Sequence, residues 1–205
     1  MHIACCFLPT ILRLAARRAP IPTAVGTKVR ILPPHISTRE ELNEWEQRNI
    51  TDAYSWLDRA RRKDFLSEKF IRTLHEKMFG KVWVRAGDYR RTDKNIGVDW
   101  TQIPIHFRQL LDDGQYWIDN ETYPPDEIAT RFHHSIVQIH LFPNGNGRHA
   151  RVMTDVLLEK AFDQEPFSWG SGNLIEEGDV RATYIQALRS ADAHYYQPLL
   201  EFVRS

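Results

Sequence analysis

Apolar residues recur with a helical period along most of the chain after residue 37. Between Ser67, which can cap a helix, and Gly80, which can end one, the apolar positions share one face: Phe70, Ile71, Leu74 and Met78. Comparable patterns predict helices over residues 105–120, 126–140 and 148–162, and one long C-terminal helix over 180–204. The pattern therefore predicts a mainly α-helical fold.

A less regular helix is predicted at the start of this region. Ser37 or Thr38 can serve as its N-cap, and Glu40 and Glu41 then fall in its first turn, where acidic side chains are favourable. Its apolar residues form an uneven stripe, so this helix is predicted mainly from its capping signal.

Residues 81–104 do not follow the helical period. Val, Trp and Tyr alternate there with Gly, Asn and Asp, which is typical of extended chain interrupted by turns. We therefore predict one small β-hairpin in the middle of an otherwise helical chain.

The length of 205 residues and the hydrophobic content of 42% suit a single domain with a small appendage. We expect residues 1–30 to form a disordered tail, residues 31–63 an N-terminal helical segment with a candidate regulatory helix, and residues 64–205 the main domain with its C-terminal helices. No acidic residue precedes Glu40, and the basic residues of the tail follow its apolar stretch, which is the wrong order for a secretory signal.

Charge and cysteine content exclude several classes of protein. The only cysteines, Cys5 and Cys6, are adjacent and cannot form a disulfide framework, which favours the cytoplasm. No apolar run reaches the roughly 20 residues that span a bilayer. The net charge of +0 gives no reason to expect nucleic acid, and the basic run 59–63 is interpreted as a solvated helix end. His133 and His134 should point apart on a helix, at the surface or core edge, and bind no metal.

The stretch HLFPNGNGRHAR, from His140 to Arg151, contains the highest concentration of candidate functional residues. His140 ends one predicted helix, a turn rich in Pro, Asn and Gly follows, and Arg148 begins the next helix. The backbone N–H groups from Gly145 to Gly147 therefore lie at a helix N-terminus. Unpaired donors and the helix dipole make such a position favourable for an anion.

The charged side chains around this turn indicate which anion. Arg148 and Arg151 are three residues apart, so both guanidinium groups can project from the first helical turn. Two guanidinium groups beside N–H donors suit a polyphosphate better than a single carboxylate. An imidazole at His140 can accept a proton from an attacking hydroxyl. The P-loop pattern is absent, and a dinucleotide-binding turn is excluded because a helix precedes it.

These residues resemble the signature of Fic-domain proteins, H-P-F-x-[DE]-G-N-G-R-x-x-R. Residues 74–92, LHEKMFGKVWVRAGDYRRT, are similar to the segment before the family's flap, and residues 94–104, KNIGVDWTQIP, to the flap itself. From about Leu32 to Ser205 the chain is similar to the subgroup called mobile mystery protein B.

The resemblance implies an all-α core with a β-hairpin flap, and a protein adenylyltransferase. Such an enzyme cleaves ATP between the α- and β-phosphates and places AMP on a Ser, Thr or Tyr hydroxyl of a protein substrate. His140 would be the general base, and Phe142 would anchor the loop in the core. The flap residues implied to align the target are Lys94, Asn95, Ile96, Gly97 and Trp100.

The resemblance also implies a phosphate site and a metal ion. The phosphates would bind five residues of the loop and the following helix: Gly145, Asn146, Gly147, Arg148 and Arg151. Leu141 replaces the family's Pro, with a small effect on the turn. Asn144 replaces the acidic residue that contacts Mg²⁺, and its amide oxygen can ligate the ion without supplying a charge. A relative that transfers phosphate has Lys at the position of Gly147, which argues against that reaction.

Many Fic proteins are restrained by a Glu on a helix that pairs with the second arginine of the signature. Here NEWEQRN lies on the first predicted helix, and Glu46 is the candidate partner of Arg151, with Glu44 second. The alternative is that these glutamates belong to a solvated helix face.

Two other functions remain open at this point. One is another nucleotide-dependent reaction, such as de-AMPylation. The other is a catalytically weak Fic fold that acts as a binding partner for a small regulatory protein, in a toxin–antitoxin-like pair. The neutral amide of Asn144 is the feature that favours this second alternative.

Overall fold

The computed structural model describes residues 38–59, 65–171, 174 and 178–205, and these ranges contain seven α-helices. In chain order they are α1 Arg39–Leu57, α2 Glu68–Phe79, α3 Ile103–Asp119, α4 Pro125–Ile139, α5 Asn146–Phe162, α6 Asp179–Asp192 and α7 Gln197–Val203. Short 3₁₀ turns lie at Trp100–Gln102 and Trp169–Ser171. The predicted mainly α-helical fold is confirmed. The predicted N-terminal tail lies outside the described residues.

The predicted capping residues begin the first two helices. Thr38 caps α1 in a reciprocal capping box, in which its hydroxyl accepts from the Glu41 N–H at 3.2 Å and its own N–H donates to the Glu41 carboxylate at 3.1 Å. The Ser67 hydroxyl accepts from the Phe70 N–H at 3.1 Å at the start of α2. Helix α2 ends at Phe79, directly before Gly80, as predicted.

The predicted β-hairpin between residues 81 and 104 is not confirmed. In the described part of the chain no residues form a strand, and only isolated bridge positions occur, at Thr38 and Trp83. Residues 88–99 form bends held by side chains. We call this segment the flap.

The prediction of one long C-terminal helix is wrong, because two helices, α6 and α7, lie there. His194 adopts the left-handed conformation with φ 62°, which ends the helical path. Pro198 then lies in the first turn of α7, where its missing N–H costs nothing. The apolar periodicity continues through both helices, so periodicity alone does not reveal the break.

The chain divides into two compact units. Among the described residues, the first contains residues 38–59 and 75–87. Leu42 and Val82 form one buried apolar cluster in it, and Trp45 and Trp83 pack against them. Glu46, which is 2% exposed, accepts a hydrogen bond from Trp83 Nε1 at 2.7 Å.

The second unit contains residues 65–74 and 88–205 among those described. Helix α4 is central, because it packs against α3, α5 and α7, while α6 packs against α7. Its inward side chains are fully buried, with Ile128 and Phe132 at 0% exposure. Buried residues of α5, including Met153 and Leu157, complete this core. None of the helices in the described ranges is long and apolar enough to cross a membrane.

His133 lies in the core, which corrects the prediction of a surface or core-edge position, whereas His134 lies at the core edge beside the exposed Asp192. His133 is completely buried, and His134 is 5% exposed. The two rings do point apart, since His133 contacts Tyr184 at 2.8 Å and His134 contacts Asp192 at 2.8 Å. Each ring is tolerated inside because a polar partner on α6 satisfies it.

We expect His149 to make folding stability depend on pH. His149 is buried, its Nε2 donates to the Ile71 carbonyl at 3.0 Å, and burial lowers its pKa to about 4. Because this pKa lies below the unfolded value of about 6.5, the stability it contributes is present above pH 6.5 and is lost as the pH falls towards 4. Replacing His149 by Gln should therefore flatten the fall in unfolding free energy between pH 7.5 and 5.

Urea denaturation at several pH values measures this slope. The exposed His106 on α3 provides the matched control, His106→Gln, which should leave the slope unchanged. Equal slopes in wild type and His149→Gln would contradict the assignment. Burial also lowers the pKa values of His133 and His140, so the slope should decrease without disappearing.

Candidate functional site

The loop between α4 and α5 begins at His140, which caps the C-terminus of α4. Its backbone lies in the left-handed region, with φ 56° and ψ 63°. A non-glycine residue in this conformation carries strain of the order of 1 kcal/mol, which the surrounding structure must offset. The chain therefore turns sharply at the predicted catalytic residue.

Asn146 closes the loop. Its side-chain oxygen accepts from the Phe142 N–H at 2.8 Å, and its side-chain nitrogen donates to the Phe142 carbonyl at 2.7 Å. Phe142 is completely buried and packs edge-on against His149 at 5.0 Å, so its predicted anchoring role is confirmed. Because the side-chain amide of Asn146 is engaged within the loop, its backbone N–H is the group it can offer to an anion.

The N-terminus of α5 presents backbone donors. Gly145 is its N-cap with φ 74°, a conformation that favours glycine, and no described side chain caps the helix. The first intrahelical bond runs from the His149 N–H to the Gly145 carbonyl at 3.0 Å. A Cβ added at Gly147 would meet only Arg151 Nη1 within 4 Å, at 3.9 Å. A ligand can therefore approach the first turn closely beside that guanidinium.

Arg148 and Arg151 hold two positive charges near this helix end. Both are partly buried. Burial lowers the pKa of Arg151, Tyr184 raises it, and the positive charge of Arg148 lowers it further. The two guanidinium groups therefore repel each other, and an anion between them would remove that repulsion.

The imidazole of His140 is neutral at physiological pH. Burial lowers its pKa to about 4, and the positive charges of Arg90 and Lys94 act in the same direction. A neutral imidazole has an unprotonated nitrogen that can accept a proton. His140 as a whole is partly buried, and its Nδ1 is buried without a hydrogen-bond partner in the described structure.

Arg90 is the residue of this site that sequence reasoning missed. Its side chain is 1% exposed. It donates from Nε to the His140 carbonyl at 2.7 Å, from Nη1 to the Thr92 carbonyl at 3.0 Å, and from Nη2 to the Val98 carbonyl. Its backbone N–H also donates to the Leu141 carbonyl at 2.9 Å. One guanidinium thus joins both ends of the flap to the end of α4.

The flap lies directly against His140. A Cβ added at Gly97, where φ is 104°, would lie 2.7 Å from the His140 Cβ and 2.8 Å from Arg90 Nη2. Only glycine fits this approach. No sequence signal distinguishes Arg90 from the adjacent Arg91, which is exposed.

The other predicted flap residues are solvent-accessible. Asn95 is exposed, Ile96 is 60% exposed and Trp100 is 40% exposed. Lys94 is partly buried and lies close enough to affect the His140 pKa. The Trp100 N–H donates to Asp93 at 3.1 Å, which fixes the end of the flap.

Asn144 is the predicted metal ligand, and Glu46 is the predicted inhibitory residue. Asn144 is partly buried in the loop beside Gly145. Among the residues that the structure describes, no three His, Cys, Asp or Glu side chains cluster to hold a metal. Glu46 belongs to the first unit and binds Trp83, and its pairing with Arg151 stays a prediction.

Comparison with known proteins identifies the family to which this region is similar. Residues 65–158, a little under half of the chain, match the model of the Fic/DOC family. The protein adenylyltransferase Fic of Aedes aegypti is 25% identical over 146 residues, which cover 69% of this chain. The match spans only 28% of that longer protein.

Solved structures show the same fold. The N-terminal Fic domain of Bep8 from a Bartonella species superposes with a TM-score of 0.69 at 12% identity, covering 89% of this chain and 94% of that domain. BepC from Bartonella tribocorum, whose structure contains bound AMPPNP, gives a TM-score of 0.66 at 17% identity over 88% of this chain and 93% of that chain. Residues 65–158 are therefore similar to the Fic/DOC family, and the chain has the fold of these Fic domains.

We expect Arg90→Lys to loosen the flap. Lysine keeps the charge but cannot reproduce the fork of three donors, so the free energy of unfolding should fall by roughly 2–4 kcal/mol. Amide hydrogen exchange in residues 91–99 should accelerate, because the carbonyls of Thr92 and Val98 lose their donors. Mass spectrometry of peptides covering the flap measures that exchange.

Arg91→Lys is the matched control, because Arg91 is exposed and its substitution should change stability by less than about 0.5 kcal/mol. Equal exchange rates in the two variants would show that Arg90 does not hold the flap.

Proposed function

We propose, from the Fic/DOC domain and the geometry of its loop, that the chain transfers AMP from ATP to a hydroxyl of a protein substrate. The observation that carries the proposal is the position of a neutral His140 at one end of a loop whose other end presents N–H donors and two arginines. The names of the relatives support the same reaction. We place the reaction in the cytoplasm, and we propose that the chain belongs to the mobile mystery protein B subgroup.

In this reaction His140 removes the proton from a Ser, Thr or Tyr hydroxyl of the target. The hydroxyl oxygen attacks the α-phosphorus of ATP, and the bond from that phosphorus to the bridging oxygen of the β-phosphate breaks. AMP becomes esterified to the target, and pyrophosphate leaves with the electron pair. His140 can accept the proton because its pKa, lowered to about 4, leaves it neutral at pH 7.

The N-terminus of α5 stabilises the charge that develops. Arg148, Arg151 and the N–H groups from Gly145 to Gly147 would hold the β- and γ-phosphates, so the leaving pyrophosphate meets fixed donors. The mutual repulsion of the two guanidinium groups supports this role, because the site is electrostatically prepared for an anion.

The flap would position the target. Ile96 and Trp100 expose apolar side chains, and the segment from Lys94 to Gly97 runs past His140. We propose that a target segment pairs with this part of the flap in an extended, hairpin-like arrangement. The hydroxyl to be modified would then lie beside the imidazole.

Mg²⁺ is proposed as the ion that accompanies ATP. It would neutralise phosphate charge when bound, held by the amide oxygen of Asn144 and by phosphate oxygens. Asn144 lies next to the N-cap of α5, so its position fits this role, although its neutral amide supplies less attraction than a carboxylate.

A second candidate function follows from the same residue. If Asn144 gives weak metal binding, the domain would bind nucleotide without efficient turnover. It would then act as a partner of a small regulatory protein, in a toxin–antitoxin-like pair. De-AMPylation is a further reaction that the same groups could support.

The first prediction of this proposal concerns label transfer. Incubated with cell lysate and ATP labelled with ³²P at the α-phosphate, the protein should label a target protein. His140→Ala and His140→Asn should reduce labelling by about 100- to 10,000-fold, because the general base is absent. The Asn variant matters because asparagine tolerates the left-handed backbone at this position.

ATP labelled at the γ-phosphate is the control and should label nothing through His140. His140-dependent label from the γ-phosphate would identify phosphate transfer and overturn the proposal. If wild type is silent, Glu46→Gln tests restraint, because glutamine keeps an acceptor for Trp83 and loses the charge. Glu44→Gln tests the second glutamate. If no variant labels a target protein although ATP still binds, the binding-partner function would be favoured.

We expect Asn144→Asp to strengthen metal use. A carboxylate adds a charge to the ion's ligands, so half-maximal stabilisation of the ATP complex should need about tenfold less Mg²⁺, or roughly 1.4 kcal/mol. A thermal-shift titration of Mg²⁺ at constant ATP measures this. Asn95→Asp places the same charge on the exposed flap and should have little effect. An identical Mg²⁺ requirement in both variants would exclude Asn144 as a ligand.

A further inference from the structure

A cleft of about 400 Å³ lies within the first compact unit. Its lining among the described residues consists of Trp45, Arg48, Asn49, Thr51, Asp52 and Lys81. All of these residues belong to α1 except Lys81, which follows α2. The volume suits a small organic molecule. None of the lining residues belongs to the proposed nucleotide site, so the cleft requires a separate explanation.

Asn49 lines this cleft with an amide that lacks a hydrogen-bond partner. The residue is only 2% exposed, and no described atom accepts a hydrogen bond from its Nδ2. A buried amide without a partner is destabilising, and most buried polar groups in proteins are hydrogen-bonded. Leucine has nearly the same size and would fill the position without that cost. The amide therefore indicates that a bound molecule supplies the missing acceptor.

Arg48 supplies a positive charge that no described carboxylate neutralises. Its guanidinium lies over the Trp45 ring, 5.8 Å from the ring centroid, and this contact restricts its orientation. Glu44, one turn earlier on α1, is exposed and forms no ion pair with it among the described contacts. A guanidinium held against a ring can offer two parallel N–H groups, a geometry that matches a carboxylate.

Lys81 and Asp52 also line the cleft, and they neutralise each other. Lys81 Nζ lies 2.7 Å from Asp52 Oδ2, and the two side chains are 67% and 62% exposed. The charge that the lining leaves for a ligand is therefore that of Arg48. A single uncompensated positive charge favours a monoanion such as a carboxylate over a phosphate group, which carries nearly two negative charges.

We propose that this cleft binds a small organic carboxylate, whose oxygens accept from Arg48 and Asn49 and whose apolar part lies against Trp45. The spacing on α1 supports the assignment. Arg48 and Asn49 follow Trp45 by three and four residues, so both side chains are its neighbours on the helix surface. The inference does not depend on the proposed function, because every lining residue belongs to the first unit.

The test uses N-acetyl-L-phenylalanine as the probe, because it joins one carboxylate to an apolar ring. The uncharged control is N-acetyl-L-phenylalaninamide. In ¹H–¹⁵N correlation spectra of the full chain, the carboxylate should shift the Asn49 side-chain amide and the Trp45 indole signals, and the control should not. Equal shifts from both compounds, or no shift from either, would contradict the proposal. Tighter binding of phenyl phosphate than of the carboxylate would overturn the assignment of the anion.

Arg48→Gln tests the charge. The affinity for the probe should fall about 10- to 100-fold, because a charge-assisted contact is lost. Arg59→Gln is the matched control, since Arg59 is also exposed and lies outside the lining, and it should leave the affinity unchanged. If Arg48→Gln binds the probe as well as the wild type does, or if Arg59→Gln weakens it equally, the cleft is not a carboxylate site.

Asn49→Leu separates a ligand contact from a packing role. If the amide serves a ligand, this variant should raise the melting temperature of the unliganded protein, because an unpartnered buried group is removed, and should weaken the probe about 5- to 30-fold. A lower melting temperature with unchanged affinity would show that Asn49 serves folding and would overturn its role. Arg48 is exposed, so Arg48→Gln still decides the proposal if Asn49→Leu does not fold.

Discussion

The site depends on one buried positive charge, the guanidinium of Arg90. Burying such a charge is costly unless its donors are satisfied, and here they are satisfied by carbonyls of the flap and of the end of α4, with Asp93 at 3.6 Å. The same contact supports the strained backbone of His140, since the carbonyl of that residue is one of the acceptors. The flap, His140 and the start of the loop therefore form one cooperative arrangement.

The loop from His140 to Gly147 also brings two helix ends of opposite polarity together. The C-terminus of α4 carries partial negative charge and receives the cation Arg90, whereas the N-terminus of α5 carries partial positive charge and has no described side-chain cap. One end is thus satisfied within the protein, and the other is available to an anion.

The sequence predicts those helices whose ends are set by residues close together in the chain. It misses contacts between residues that are far apart in the chain. Capping residues such as Thr38 and Ser67 act within three residues, so their pattern is readable. The loop signature is readable for the same reason. The role of Arg90 depends on carbonyls up to 50 residues away, and the burial of His133 depends on a tyrosine 51 residues away. The sequence misses the helix break at His194 for a different reason, because the apolar period continues through it.

A low pKa alone does not identify the general base. Burial lowers the pKa values of His133, His140 and His149, so all three imidazoles are neutral at pH 7. His133 uses both ring nitrogens within the core, and His149 is buried and donates to a backbone carbonyl. Only an imidazole that another molecule can reach can receive a proton from it, and His140 is the one that remains partly exposed. Of these three histidines, His140 is therefore the candidate for the proposed role of general base.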